Sequence, residues 1–199
     1  MKYTKISRLA VLSLFLVLPS MSAFAAETYY TDQGHTEVLF SWNHAGVSIQ
    51  SGEFTMASGK LSLDPDDVGQ STIDVTIDAN SLSTGFGPLD TDLKSKNFLD
   101  VESFPQITFK STKVTKTGEN TADVTGDLTI HGVTKPATLK TTMTHRGDHP
   151  VAAVIDYYKG KWVAFTATTE IDHQAFGVGP FSTGPITISI VTEMKDREN

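Results

Sequence analysis

Residues 71–79 read STIDVTIDA, and this stretch decides the fold class. Ile73, Val75 and Ile77 alternate with polar residues, so one face of an extended chain is apolar and the other is polar. An alternation with a period of two is typical of an antiparallel β-strand that has one face buried. The sequence therefore predicts a half-buried strand here.

The same alternation recurs along the chain, and glycine- or proline-containing turns separate its copies at hairpin spacing. The further copies lie at residues 36–42, 107–110, 124–130, 139–143, 163–168 and 186–192. This pattern predicts an all-β fold in one domain, a single antiparallel β-barrel of about eight strands. A barrel of that size can hold one small ligand. A sandwich of two sheets fits the same alternation.

Residues 89–100, LDTDLKSKNFLD, break the pattern. Leu89 and Leu93 stand at helical spacing, and Thr91 is the one β-branched residue in the stretch. We expect a short helical segment near 89–100 that crosses one end of the sheet.

Composition excludes several classes of protein. The chain has 199 residues, no cysteine and a formal net charge of −7. Without cysteine it has no disulfide, no thiolate metal site and no thiol nucleophile. We expect no nucleic-acid partner, because a surface that binds phosphates needs a basic field.

Residues 1–25 have the three parts of a secretory signal peptide. Basic residues precede the apolar run at residues 9–18, and Ala23-Phe24-Ala25 has the form of a cleavage site. The run is too short to span a bilayer, which needs about 20 apolar residues. We therefore expect cleavage after Ala25, a barrel domain at 26–199, location in a bacterial periplasm and no membrane-spanning segment.

The sequence gives only weak evidence for catalytic or metal-binding groups. His145 and His149 are four residues apart, but nearby glycine and proline predict a loop, so we expect no metal. Asp90 and Asp92 lie at the start of the expected helix, where negative charge suits the helix dipole. We expect neither catalytic residues nor a cofactor, and hence no enzyme. A hydrolase or isomerase would require His44 to approach one of these two carboxylates.

Several segments together resemble the YceI family of exported, lipocalin-like, polyisoprenoid-binding proteins. The resemblance rests on residues 35–40 (HTEVLF), 44–48 (HAGVS), 78–84 (DANSLST), 97–112 (NFLDVESFPQITFKST) and 126–136 (GDLTIHGVTKP), in this order and spacing.

This resemblance implies a lipocalin-like barrel with an apolar tunnel, and a periplasmic carrier of an isoprenoid, quinone-like or acyl-chain lipid. The head group would contact His44, Lys94 and Ser95. The tunnel would be lined by Val38, Phe40, Trp42, Phe54, Ile77, Leu93, Phe98, Phe109, Leu128, Ile130, Phe165, Phe176 and Ile188.

The helical segment departs from the family pattern R-D-x-H-L-R-S. Leu89 and Asp92 stand where family members often carry Arg and His, and Lys94 alone keeps a cation. A pyrophosphate head needs several cations or a helix N-terminus, so a quinone, a fatty amide or a neutral polyprenyl chain fits at least as well. Two other functions stay open: an exported structural or stress-protective module with a filled core, and a hydrolase or isomerase of a lipid-like substrate. A homodimer is also compatible with the sequence.

Overall fold

Antiparallel strands make up most of the computed structural model, which describes residues 26–179 and 184–197. The signal peptide predicted for residues 1–25 lies outside the described residues. The strands are β1 (Glu27–His44), β2 (Ser48–Phe54), β3 (Ala57–Leu63), β4 (Thr72–Asp78), β5 (Leu82–Ser83), β6 (Gln106–Lys116), β7 (Thr121–Ile130), β8 (Val133–Asp148), β9 (Lys161–Ile171) and β10 (Ile186–Lys195), and the helix is α1 (Gly87–Lys94).

Pairing between the first and last strands closes the sheet into a barrel. The ring runs β1-β10-β9-β8-β7-β6-β4-β3 and returns to β1, so eight strands surround the interior. In the β1–β10 pair, Val38 faces Ile190 and Phe40 faces Ile188. The predicted barrel of about eight strands is confirmed, and the sandwich is wrong because its sheets would not join at this seam.

One end of the barrel, which we call the helix end, is built from β2, β5 and α1. The last half of β1 pairs with β2, and β2 pairs with the two-residue β5. Leu93 of α1 and the following Leu99 and Val101 pack into the same apolar cluster as Phe54 and Ile107. The helix and the turns after it therefore fill the space beyond the short β5.

The helix is confirmed, with bounds that differ from the expected 89–100. It begins two residues earlier, and Pro88 lies in its first turn, where a missing N–H costs nothing. It ends at Lys94 because the chain folds back on its last carbonyls. The N–H of Leu99 donates to the Leu93 carbonyl, and the N–H of Val101 donates to the Lys94 carbonyl.

The other end, the plugged end, is filled by side chains. A separate buried cluster occupies it, with partly buried Ile73, Met143 and Phe165 packed against it; its buried members are Tyr29, Leu61, Leu63, Val163 and Met194. Val163 is 0% exposed. The two apolar clusters thus occupy opposite ends of one barrel.

Candidate functional site

A cavity of about 600 Å³ lies inside the barrel. Its wall runs from Phe54 and Leu93 at the helix end to Leu61 and Met194 at the plugged end. A volume of 300–1,000 Å³ is usual for a small-molecule site. The side chains of the described residues therefore leave space inside the barrel instead of filling it.

All but one of the expected tunnel residues lie in this wall. Phe176 is the exception, since it is buried in the helix-end core and is not part of the cavity wall. It belongs to a 3-10 turn after β9, where the alternation no longer predicts direction. The cavity wall contains Val38, Phe40, Trp42, Phe54, Ile77, Leu93, Phe98, Phe109, Leu128, Ile130, Phe165 and Ile188.

Aromatic rings form much of the wall near the helix end. Phe40 stacks on Trp42 with ring centroids 5.8 Å apart, and its centroid is 5.3 Å from that of Phe54. The Phe40 ring lies over Gly52, where an added Cβ would meet its Cζ atom at 2.5 Å and the Ser83 carbonyl at 2.9 Å. Glycine at this position therefore lets the ring lie flat against the wall and keeps the bore wide.

The helix end also carries the polar mouth of the cavity. His44 and Gln50 line the cavity and are exposed to solvent, so the cavity reaches the surface here. Lys94 and Ser95 are half-buried at the end of α1 and are not part of the cavity wall. Of the three expected head-group contacts, the structure brings His44 to the cavity.

Apart from His173, the other polar side chains of the wall are threonines. Halfway along, the hydroxyls of Thr36 and Thr192 lie 2.8 Å apart in a hydrogen bond, and the Thr31 hydroxyl donates to the Gly59 carbonyl. Among the residues that the structure describes, no Lys, Arg, Asp or Glu lines the cavity. A charged group placed in the bore would find no counter-ion, and that costs several kcal/mol.

Charged groups lie instead outside the wall at the plugged end, where a bulge at residues 32–35 interrupts the pairing of β1 with β10. Asp32 is 1% exposed and accepts a hydrogen bond of 2.6 Å from the Tyr157 hydroxyl. The ammonium of Lys195, itself 2% exposed, donates to that hydroxyl at 3.2 Å. This network holds the bulge and the segment 149–160 together.

The pKa values in this network reflect burial and hydrogen bonding. Burial and the bond to Asp32 raise the pKa of Tyr157 to about 12. Burial raises the pKa of Asp32, but hydrogen bonds from Tyr157, Gly34 and His35 outweigh it and hold that pKa below its ordinary value. The carboxylate is thus kept ionised and the phenol protonated.

The hydrolase alternative required His44 close to Asp90 or Asp92, and the described side chains form no such ion pair. Asp90 instead accepts bonds from the Thr84 hydroxyl at 2.6 Å and the Thr84 amide at 2.7 Å. These two bonds hold the pKa of Asp90 below its ordinary value. Asp90 anchors the start of α1 to the residues after β5.

The histidine pair near residue 147 lies in different surroundings from those expected. His145 belongs to β8 and not to a loop, because the strand continues to Asp148 in spite of Gly147. The rings of His145 and His149 are 6.4 Å apart, and His149 stacks on Tyr158. Over residues 26–179 and 184–197, no group of three His, Cys, Asp or Glu residues is placed to hold a metal ion.

Comparison with known proteins shows which family the chain belongs to. The family model of the YceI-like domain matches residues 29–194. This range covers all ten strands, except for the first two residues of β1 and the last residue of β10. The chain belongs to the YceI-like family. A Pseudomonas savastanoi pv. phaseolicola relative named UPF0312 protein is 38% identical over 175 residues, which cover 86% of this chain and 88% of that protein. UPF0312 protein VPA0850 of Vibrio parahaemolyticus is 32% identical over 167 residues, covering 84% and 85%.

Solved structures share the fold. Burkholderia cenocepacia BcnA superposes with a TM-score of 0.71 at 24% identity, covering 82% of this chain and 98% of that one. A polyisoprenoid binding domain from Saccharophagus degradans superposes with a TM-score of 0.58 at 12% identity, covering 85% and 98%. Separately, none of the helices in the described part of the chain is long and apolar enough to cross a membrane.

Sequence reasoning missed most of the polar residues of the cavity wall, among them Gln50 and His173. His173 is 7% exposed and lines the cavity, although it belongs to no sequence motif. A signal was present. Ile171 is the last residue of β9, pairs with Ile186 and faces the cavity, and His173 follows it by two residues. Extending the alternation past the strand end would have pointed to it.

Proposed function

We propose that this YceI-like protein binds and carries an isoprenoid or similar long-chain lipid, whose apolar chain occupies the cavity. The observation that carries this proposal is an uncharged cavity of about 600 Å³ inside the barrel. Burial of each methylene group stabilises a bound chain by about 0.8 kcal/mol, and such binding needs only an apolar bore. A filled-core structural module does not account for the empty interior.

The head group belongs at the helix end in this proposal. His44 and Gln50 line the cavity there and reach solvent, whereas the plugged end is filled by apolar side chains. Contacts of the head group with Lys94 and Ser95 stay predictions. The binding role is also supported by the shared fold of the polyisoprenoid binding domain from Saccharophagus degradans.

We place this carrier in a bacterial periplasm, on the strength of the signal-peptide pattern at residues 1–25. Export would let the protein move water-insoluble chains through an aqueous compartment. The mass of the protein recovered from a periplasmic extract tests the location, and the proposal expects Ala26 as the first residue. A homodimer stays a prediction that sedimentation of the purified protein tests.

The lipid itself is identified by extracting the purified native protein with organic solvent and analysing the extract by mass spectrometry. We expect one lipid class in near-stoichiometric amount, with a long prenyl or acyl chain. The matched variants are Leu139→Glu and Thr138→Glu. Leu139 lines the cavity and the neighbouring Thr138 is exposed, so the same carboxylate enters the bore in one variant and solvent in the other.

Leu139→Glu should abolish loading because a carboxylate in an apolar bore has no partner. Thr138→Glu should load like the unmodified protein. Circular dichroism and urea unfolding establish that both variants fold. An extract free of lipid, together with no uptake of added polyprenyl or acyl chains, would contradict the proposed function.

A further inference from the structure

His173 lines the cavity, and the direction of its hydrogen bond is fixed by its partner. Its Nδ1 atom lies 2.6 Å from the Val178 carbonyl oxygen. A carbonyl oxygen can only accept, so Nδ1 carries the hydrogen, and in the neutral ring Nε2 is then an acceptor. The backbone turn of residues 173–178 thus fixes the tautomer.

The remaining nitrogen is available to a ligand. Among the described residues, no protein group is hydrogen-bonded to Nε2, and Nε2 is not a fully enclosed atom. The edge of the ring that carries Nδ1 faces the histidine's own turn, and the side chain lines the cavity. Nε2 is therefore the ring nitrogen of His173 that a bound molecule can contact.

We propose that Nε2 of His173 accepts a hydrogen bond from the head group of the bound lipid. This inference rests on the proposed function and deepens it, because it selects a head-group chemistry. The head is uncharged and carries an O–H or N–H donor, as in an alcohol, a phenol or a primary amide. A head group that can only accept hydrogen bonds, such as a quinone or an ether, would be repelled, because its lone pairs would face the lone pair of Nε2.

The uncharged wall supports the same class of head group. The cavity wall holds no fixed charge in the described residues, so a phosphate or carboxylate head would be desolvated without a counter-ion. A hydroxyl carried into an apolar bore still needs one acceptor, because a buried polar group without a hydrogen-bond partner is destabilising. His173 supplies that acceptor at the helix end, two residues after the last residue of β9.

The test compares geranylgeraniol with its methyl ether, which has the same chain and lacks the donor. Binding of both ligands to delipidated protein is measured at the same pH. We expect the alcohol to bind roughly tenfold more tightly than the ether. Equal affinities overturn the inference and leave the proposed function intact, whereas no binding of either ligand overturns both.

Two variants separate the two nitrogens of the ring. The amide of His173→Asn lies where Nδ1 lay, so it can keep the bond to the Val178 carbonyl while removing the acceptor edge. The longer amide of His173→Gln reaches the position of Nε2. The preference for the alcohol should fall to about onefold in His173→Asn and persist in His173→Gln. Persistence of the full preference in His173→Asn overturns the assignment to Nε2.

Discussion

The two ends of the barrel differ in the hydrogen bonding of their polar side chains. At the plugged end, Asp32, Tyr157 and Lys195 are joined to one another outside the wall, and apolar side chains fill the interior. At the helix end, His44 reaches solvent and His173 keeps one nitrogen without a partner among the described residues. The Asp32–Tyr157–Lys195 network stabilises a closed structure, whereas an unused acceptor beside an apolar cavity suits a ligand.

The largest expected effect comes from removing the aromatic anchor of the plugged end. Trp162 is 1% exposed, and its indole N–H donates to the Tyr158 carbonyl. Trp162→Ala should lower the free energy of unfolding by about 3–5 kcal/mol, measured in urea. Val154→Ala, in the same covering segment but 81% exposed, should change it by less than about 0.5 kcal/mol. Similar values for the two variants would refute the account of this end.

Asp32→Asn should destabilise the protein by about 1–3 kcal/mol, because the buried network around Tyr157 loses its ionised acceptor. The lowered pKa of Asp32 means that the carboxylate stabilises the fold above the unfolded pKa, and that this contribution is lost as the pH falls through the folded pKa. The variant should therefore lose less stability than the unmodified protein on acidification. Parallel acid titrations of the urea midpoint measure this difference.

At the helix end, Gly52→Ala should affect the cavity more than the fold. The added Cβ would meet the Phe40 ring and the Ser83 carbonyl, so the ring must turn into the bore. Overpacking of this kind costs about 1–3 kcal/mol. We also expect weaker binding of long-chain lipid, measured by titration. Unchanged lipid affinity in the folded variant would show that the position of the Phe40 ring does not set the bore.

The loss of stability at alkaline pH tests the hydrogen bonding of the plugged end. A pKa of about 12 for Tyr157 lies above the unfolded value of about 10, so its protonated phenol stabilises the fold below pH 10. This contribution is lost as the pH rises towards 12. The urea midpoint of Tyr157→Phe should therefore fall less steeply with rising pH than that of the parent protein. Tyr29, whose pKa is also about 12, should account for a further part of the decrease in the parent protein. Equal slopes in the variant and the parent protein would remove Tyr157 from the explanation.

The smallest effect is expected at the exposed start of α1. Asp90→Asn weakens the two bonds from Thr84, so α1 should exchange its amide hydrogens faster while overall stability changes little. Hydrogen exchange followed by mass spectrometry measures this. Thr91→Ser, on the outer side of the helix, is the matched control and should leave the exchange rates of α1 as they are.

The barrel and most of its wall could be predicted from sequence because strand alternation directly encodes which side chains face inward. The stretch STIDVTIDA placed Ile77 correctly, and the same logic placed Phe109 and Ile188. Phe176 lies in a turn, where direction depends on backbone hydrogen bonds that periodicity does not report. The plugged end was not foreseen either, because Asp32 and Tyr157 are 125 residues apart in the chain.

The two tryptophans of the chain provide the most direct test of the central claim, that the lipid chain enters the helix end and stops before the plugged end. Trp42 lines the cavity, and Trp162 lies against the covering segment of the plugged end. A spin-labelled fatty alcohol that quenches nearby indoles is titrated into Trp162→Phe and into Trp42→Phe. The account predicts saturable quenching when Trp42 is the reporter and little quenching when Trp162 is. Equal quenching of the two, or quenching of neither, would contradict it.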